Sequence, residues 1–200
     1  MSNKHIYIFS AVVFSFSVCF LLSAEENKYR SLVETFTVNP AVTRWGEFEV
    51  ISVTDGDTIR INNNGVSVPV RFVAVNAPEL RPKTQKTPEP LAKEAKAFVE
   101  KAIAVSKNRV ILYRDGRLQD RYKRELALVC VLDENGQERS LDEMLVQQGL
   151  AKVENYPYSK MTKDYLLAVE KDGKGKFQKK RRGTMTMGYH STLDRLSFRL

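Results

Sequence analysis

Apolar and polar positions follow several different spacings along this chain, and each spacing marks a kind of element. The run from Ile6 to Leu22 is apolar-rich and carries no charge. Residues 25–44 are mixed and weakly patterned, which is expected of a linker. Strand signals then gather: Glu47 to Val53 alternates, Thr58 to Ile61 follows a turn, and Val66 to Val75 is rich in valine. Between the last two, Asn62-Asn63-Asn64-Gly65 makes a hairpin turn, because Asn and Gly tolerate positive φ. Thr87-Pro88 then offers an N-cap and a first helical residue, and Leu91, Ala95, Phe98, Val99, Ala102 and Ile103 form one helical apolar face. Arg109 to Tyr113 and Glu125 to Leu132 return to strand character. Ser140 caps a short helix running through Gln148 and closed by Gly149, and a last helix is expected from about Lys160 to Lys180. Residues 189–200 form a polar tail.

Five strands, one helix inserted between the third and fourth, and two C-terminal helices give an α+β fold. It has the order of a five-stranded barrel of the oligonucleotide-binding (OB) type. That order predicts architecture and leaves function to the residues of the site.

The N-terminus has a basic start at Lys4, the apolar run, and then Ser23-Ala24 before Glu25-Glu26. These are the parts of a signal peptide covering residues 1–24 and cut after Ala24. The alternative is an uncleaved anchor at the short end of a membrane-spanning length. Either way Lys4 stays inside and the domain faces out, so the protein is expected to be secreted or periplasmic, or anchored with its domain outward.

Composition narrows the chemistry. A chain of 200 residues with 42% hydrophobic content suits one domain with its own core. Its 32 Lys+Arg against 24 Asp+Glu point to an acidic partner, nucleic acid or an anionic membrane surface, although solubility alone accounts for such an excess. Of two histidines and two cysteines, His5 and Cys19 fall in the leader, leaving His190 in the tail and Cys130 in an apolar strand. That set excludes a zinc site of four Cys/His ligands and a disulfide within the domain, and it discounts Ser-His-Asp or Cys-His catalysis. Chemistry must rest on carboxylates and arginines, with or without a hard metal ion.

Such residues gather in short motifs. Asp55-Gly56-Asp57-Thr58 lies between two strands, with the second aspartate opening a strand, where acidic residues are depleted. Arg71-Phe72-Val73-Ala74-Val75-Asn76-Ala77-Pro78-Glu79 begins on an arginine and leaves through Asn76 and Glu79. Asp120-Arg121-Tyr122-Lys123-Arg124 precedes another strand, and Glu143 to Val153 runs from a helix through Gly149 into a strand. Each alone is compatible with solvated surface residues.

Taken together and in this order, the motifs resemble the staphylococcal nuclease (thermonuclease) family over roughly Gly46 to Gly188, within a domain of residues 45–188. The resemblance implies that Asp57 binds a metal, that Arg71 and Arg124 bind phosphate, and that Glu79 orients or deprotonates the attacking water. It places Asn76 at a second metal-binding position where the family has aspartate, and Ala77 at a position offering its backbone carbonyl. It implies a calcium ion, or another divalent cation given the charge lost at Asn76. Lys123 stands where the family often has glycine, which costs about 1 kcal/mol if that residue needs positive φ.

Tyr113, Tyr122, Tyr156 and Tyr158 lie near segments bordering the family's cleft. Tyr122 and Tyr156 are the candidates for stacking on a base, with rim or core packing as the alternative for each. The basic run from Lys171 to Arg182 suits a helix C-terminus as well as a polyanion. The expected function is a calcium-dependent nuclease of low sequence specificity on DNA or RNA, acting as a monomer without a stable protein partner. A catalytically impaired module that binds nucleic acid or protein is the rival.

Overall fold

The computed structural model describes residues 31–82, 86–155 and 158–171. The leader, Tyr156, and the basic run and tail beyond residue 171 lie outside the described residues. The chain divides into a unit of Met1–Ser31 and a second beginning at Leu32, which carries the fold.

That fold begins with a short helix α1 (Leu32–Thr37) and a long strand β1 (Val42–Asp55). Then come β2 (Thr58–Asn63), β3 (Val66–Phe72) and a two-residue strand β4 (Val75–Asn76). Helix α2 (Ala92–Val105) is followed by β5 (Arg109–Asp115), β6 (Glu125–Leu132) and β7 (Glu138–Ser140). Helix α3 (Leu141–Gln147) and strand β8 (Lys152–Val153) lead to a helical stretch, α4, over residues 160–171.

Antiparallel pairing orders the main sheet β3-β2-β1-β5-β6-β7, and a parallel β3–β6 pairing joins the first strand to the fifth. Strands β1, β2, β3, β5 and β6 therefore form the closed five-stranded OB barrel that the strand order predicted. Closure is short: Val70 stands opposite Glu125, Arg71 opposite Leu126 and Phe72 opposite Ala127. Ile59, Ile61, Val70, Phe72, Leu112, Leu126 and Leu128 fill the interior without solvent exposure. Each such side chain contributes about 1.5–3 kcal/mol. Helix α2 lays Ala95, Phe98, Val99, Ala102 and Ile103 on this core, as its periodicity required.

Three local expectations are corrected. Residues 32–44 are not linker: α1 buries Leu32 and Phe36, four positions apart, and the Phe36 ring meets Tyr113 with centroids 4.7 Å apart. A six-residue helix leaves too short a pattern to show its period. The folded unit thus starts before residue 45, and β1 itself opens at Val42.

Helix α2 does not start at Thr87-Pro88. It starts at Ala92, after Leu91 at φ 73°. Pro90 disfavours helical geometry at Glu89 and so delays the helix.

The run Val66 to Val75 is two strands. Beyond Phe72 the chain leaves the β2 ladder: the Val73 N–H donates to the Ala127 carbonyl at 3.0 Å, and the Ala74 N–H to Asp142 Oδ1 at 3.3 Å. Strand β4 then pairs with β8. At the hairpin and around α3 the local reading matches the structure, and of the helix expected from about Lys160 to Lys180 the part beyond residue 171 lies outside the described residues. Asn64 and Gly65 take φ of 52° and 85° in the hairpin. The Ser140 side chain accepts the Glu143 N–H, and Gly149 follows α3 at φ 64°.

Candidate active site

The turn between β1 and β2 sets the first carboxylates. A Cβ on Gly56 would lie 2.6 Å from the Ala95 Cβ of α2 and 2.8 Å from the Ala77 Cβ, so only glycine fits between the helix and the loop after β4. Asp57, the next residue of this close-packed turn, is 1% exposed. Asp57 Oδ1 accepts from the Thr58 hydroxyl at 3.1 Å and pairs with Arg71 Nη1, while Oδ2 accepts the Ala77 N–H at 2.6 Å. Asp55 Oδ1 accepts the Asp57 N–H at 3.3 Å.

Arg71 stands on β3 opposite Thr58, and its Nη2 donates to Asn76 Oδ1 at 2.9 Å. One guanidinium therefore joins the side chains at positions 57 and 76. Ala77 is buried, whereas Glu79, two residues further on, is exposed. Partial desolvation pushes the Glu79 carboxyl above its ordinary value, and the neighbouring Asp55 adds to this while Arg71 and Arg124 oppose it. Burial likewise raises Asp55, against the pull of Arg71, the Thr58 hydroxyl, Arg124 and Lys96.

Arg124 arrives across the β3–β6 seam, at the end of the loop into β6. Its Nη1 donates to the Thr58 hydroxyl at 3.3 Å, which completes a contact chain Arg124–Thr58–Asp57–Arg71–Asn76. Asp120 builds the loop: Oδ2 accepts from Arg124 Nε at 2.8 Å, and Oδ1 accepts the Tyr122 and Arg124 N–H groups at 2.8 and 2.9 Å. Lys123 sits at φ 60°, the left-handed conformation that the family's glycine would satisfy. Tyr122 is 53% exposed, with the guanidinium carbons of Arg121 and Arg124 at 4.8 and 5.7 Å from its ring centroid.

The remaining tyrosines divide. Tyr113 packs in the core against Phe36 with its hydroxyl on Glu138, and the Tyr158 hydroxyl donates to the Glu154 carbonyl at 2.7 Å. Cys130 is fully buried, and burial pushes its thiol well above the usual range.

A family described as staphylococcal nuclease homologue matches residues 69–183, more than half of the chain. The chain belongs to that family. It is 36% identical over 110 residues to the thermonuclease of Staphylococcus hyicus, covering 54% of this chain and 60% of that protein. It is 35% identical over 115 residues to the thermonuclease of Staphylococcus intermedius, covering 57% of this chain and 63% of that protein. An uncharacterised Bacillus anthracis protein is 35% identical over 82 residues, 40% of this chain and 37% of its own length. The chain spans about three fifths of the length of the two thermonucleases. The family match opens at Pro69, so Asp55 and Asp57 precede it, and the barrel carries Asp57 to Arg71 within the matched part.

The side-chain oxygens of Asp57 and Asn76 are the kind of ligand a hard divalent cation takes. Among the described residues no three of His, Cys, Asp and Glu gather into a metal cluster. Asp57 and Asn76 fit a cation by their chemistry, but they hold Arg71 between them, so a metal and that guanidinium draw on the same oxygens.

Sequence reasoning assigned no role to Asp55, Asp120 or Thr58. Asp120 was signalled by its four-residue spacing from Arg124, which suits a carboxylate folding a loop back on itself. Thr58 had no such signal, because its contact with Arg124 spans 66 positions.

Proposed function

We propose that this domain is a phosphodiesterase that cleaves DNA or RNA with little sequence specificity. The observation that carries the reading is the contact chain through Thr58 that sets Arg71 and Arg124 beside Asp57, with the Glu79 carboxyl in the field of both arginines. Two guanidiniums offer planar forks to phosphate oxygens and can neutralise charge that grows as water attacks phosphorus. Glu79 accepts the proton of the attacking water as its oxygen bonds to phosphorus. The P–O5′ bond then breaks, and the departing oxygen takes up a proton, leaving a 3′-phosphate and a 5′-hydroxyl. A raised Glu79 pKa makes that carboxylate a stronger base than an ordinary surface glutamate. Asp57 and Asn76 are the residues that would hold a divalent cation, calcium in the first instance. When bound it supplies further positive charge toward the phosphate. Tyr122, exposed beside Arg121 and Arg124, offers a ring on which any base can stack.

The leader supports secretion or a periplasmic location, with membrane anchoring the alternative, and a monomer suffices for this chemistry. One observation favours the rival, a binding module: Asn76 and the Arg71–Asp57 pair leave the cation position short of charge.

The deciding experiment assays the purified chain on single-stranded DNA and RNA with calcium, magnesium, manganese or chelator. Cleavage that needs a divalent cation and falls at least a hundredfold in Glu79→Gln supports the nuclease. Retained binding without cleavage in every metal identifies the module instead.

A further inference from the structure

We propose that Glu89 is a positioning residue for Glu79, holding it by its main chain against the start of α2. The Glu79 N–H donates to Glu89 Oε2 at 3.0 Å, and the Glu89 N–H donates back to the Glu79 carbonyl at 3.0 Å. The two residues are thus bonded in both directions across ten positions of chain.

The clasp is rooted in rigid structure. The Glu89 carbonyl accepts the N–H of Ala92, the first residue of α2, at 3.1 Å. One turn further on, Ala95 packs against Gly56, the glycine that precedes Asp57. On its other side Glu79 is tethered two residues earlier, where the Ala77 N–H reaches Asp57 Oδ2 at 2.6 Å. Glu79 therefore projects as an exposed residue from a backbone fixed at both ends. Fixing the backbone leaves only side-chain torsions to set the carboxylate, and a general base is sensitive to misplacement by an ångström. A carboxylate suits the task because it only accepts, and its bond to an N–H is charge-assisted.

This inference rests on the reading of Glu79 as the base, and its test separates the two. Wild type, Glu89→Ala, Glu89→Ser, Glu89→Gln and Glu79→Gln are compared as full chains for kcat, KM and exchange of the Glu79 amide hydrogen. Glu89→Ala and Glu89→Ser remove the acceptor, and kcat is expected to fall about ten- to a hundredfold while KM stays within about twofold. Amide exchange at Glu79 accelerates in both. Glu89→Gln keeps a carbonyl oxygen at that place and recovers most of both properties.

Wild-type kcat in the Ala and Ser variants overturns the proposal while leaving the nuclease standing. So does a loss in Glu89→Gln equal to that in Glu89→Ala, since charge rather than the hydrogen bond would then be what matters. An inactive wild type, or full activity in Glu79→Gln, overturns the reading of Glu79 and this inference with it. In that case amide exchange still reports whether the clasp exists.

Discussion

Arg71 and Asp57 form an ion pair almost wholly removed from water, 4% and 1% exposed, at the end of the barrel where β2 and β3 meet. Desolvating both charges is costly, and their attraction offsets the cost only because Asp57 also accepts the Thr58 hydroxyl and the Ala77 N–H. Removing the carboxylate leaves the buried guanidinium charge without its ion-pair partner. Asp57→Ala is expected to destabilise the domain by about 3 kcal/mol, read from the urea midpoint. A shift under about 1 kcal/mol would show that the pair is not a buried contact.

The same pair bears on cation binding. Arg71 spans Asp57 and Asn76, so one positive charge already satisfies both. Asn76→Asp adds the missing negative charge and lets the site hold Arg71 and a divalent ion together. Calcium affinity measured by titration calorimetry is expected to rise at least about tenfold. Unchanged affinity would place any cation elsewhere.

Asp120 governs the other arginine. Burial acts to raise its pKa, but the Arg124 N–H and side chain and the Tyr122 N–H outweigh that and hold the carboxyl below its ordinary value. Its folded pKa being depressed, the stabilisation is complete above the unfolded value near 3.8 and is lost as pH falls through the lower folded value. Asp120→Ala is expected to cost about 1–3 kcal/mol at neutral pH and to lower kcat/KM about tenfold or more through a misplaced Arg124. Acid titration by circular dichroism should show a shallower loss of stability below pH 4 in the variant.

Lys123 occupies a conformation that glycine reaches without strain. Lys123→Gly should raise stability by about 0.5 kcal/mol, since the relief of roughly 1 kcal/mol is partly offset by the freer unfolded chain. A loss of stability in thermal unfolding would mean that the lysine side chain has a contact worth more than the strain.

Asp142 is fully buried in α3, with its oxygens on the Ala74 and Val129 N–H groups. Burial pushes its carboxyl up to about 7, against the pull of those N–H groups and of Arg71. With an ordinary value of 3.8, the folded chain keeps a proton that the unfolded chain releases, so stability falls as pH rises between about 4 and 7. Asp142→Asn should flatten that slope and add on the order of 2 kcal/mol at pH 8, less than the full shift implies because one amide oxygen must serve two donors. An unaltered slope in urea titrations across this range would assign the pH dependence to other groups.

The barrel was legible because its strands carry alternation or valine-rich runs long enough to show, and because the Asn-Gly hairpin and Ser140 cap are local chemistry. What escaped depends on partners far along the chain. Leu32 and Phe36 are core residues only because β5 and α3 come to meet them: the Leu32 N–H reaches Glu143 across 111 positions. The break after Phe72 needs Asp142, 68 positions from Ala74, to take the N–H that the ladder releases. Within the candidate site, Asp57, Arg71, Glu79 and Arg124 stood out by motif. The residues that hold them in place, Thr58, Asp120 and Glu89, are of ordinary type, and their roles appear only with the distances.

The parallel seam between β3 and β6 has a consequence for timing. Arg71 and Leu126 face each other across it, and Arg124 enters just before it, so the two arginines are neighbours only once the ring has shut. A chain emerging from the ribosome holds Asp57, Arg71 and Glu79 long before residue 132 is made, yet it lacks the second arginine and the seam that fixes the first. A partial chain thus holds Arg71 without Arg124, and the last strand of the barrel brings the two guanidiniums to one site.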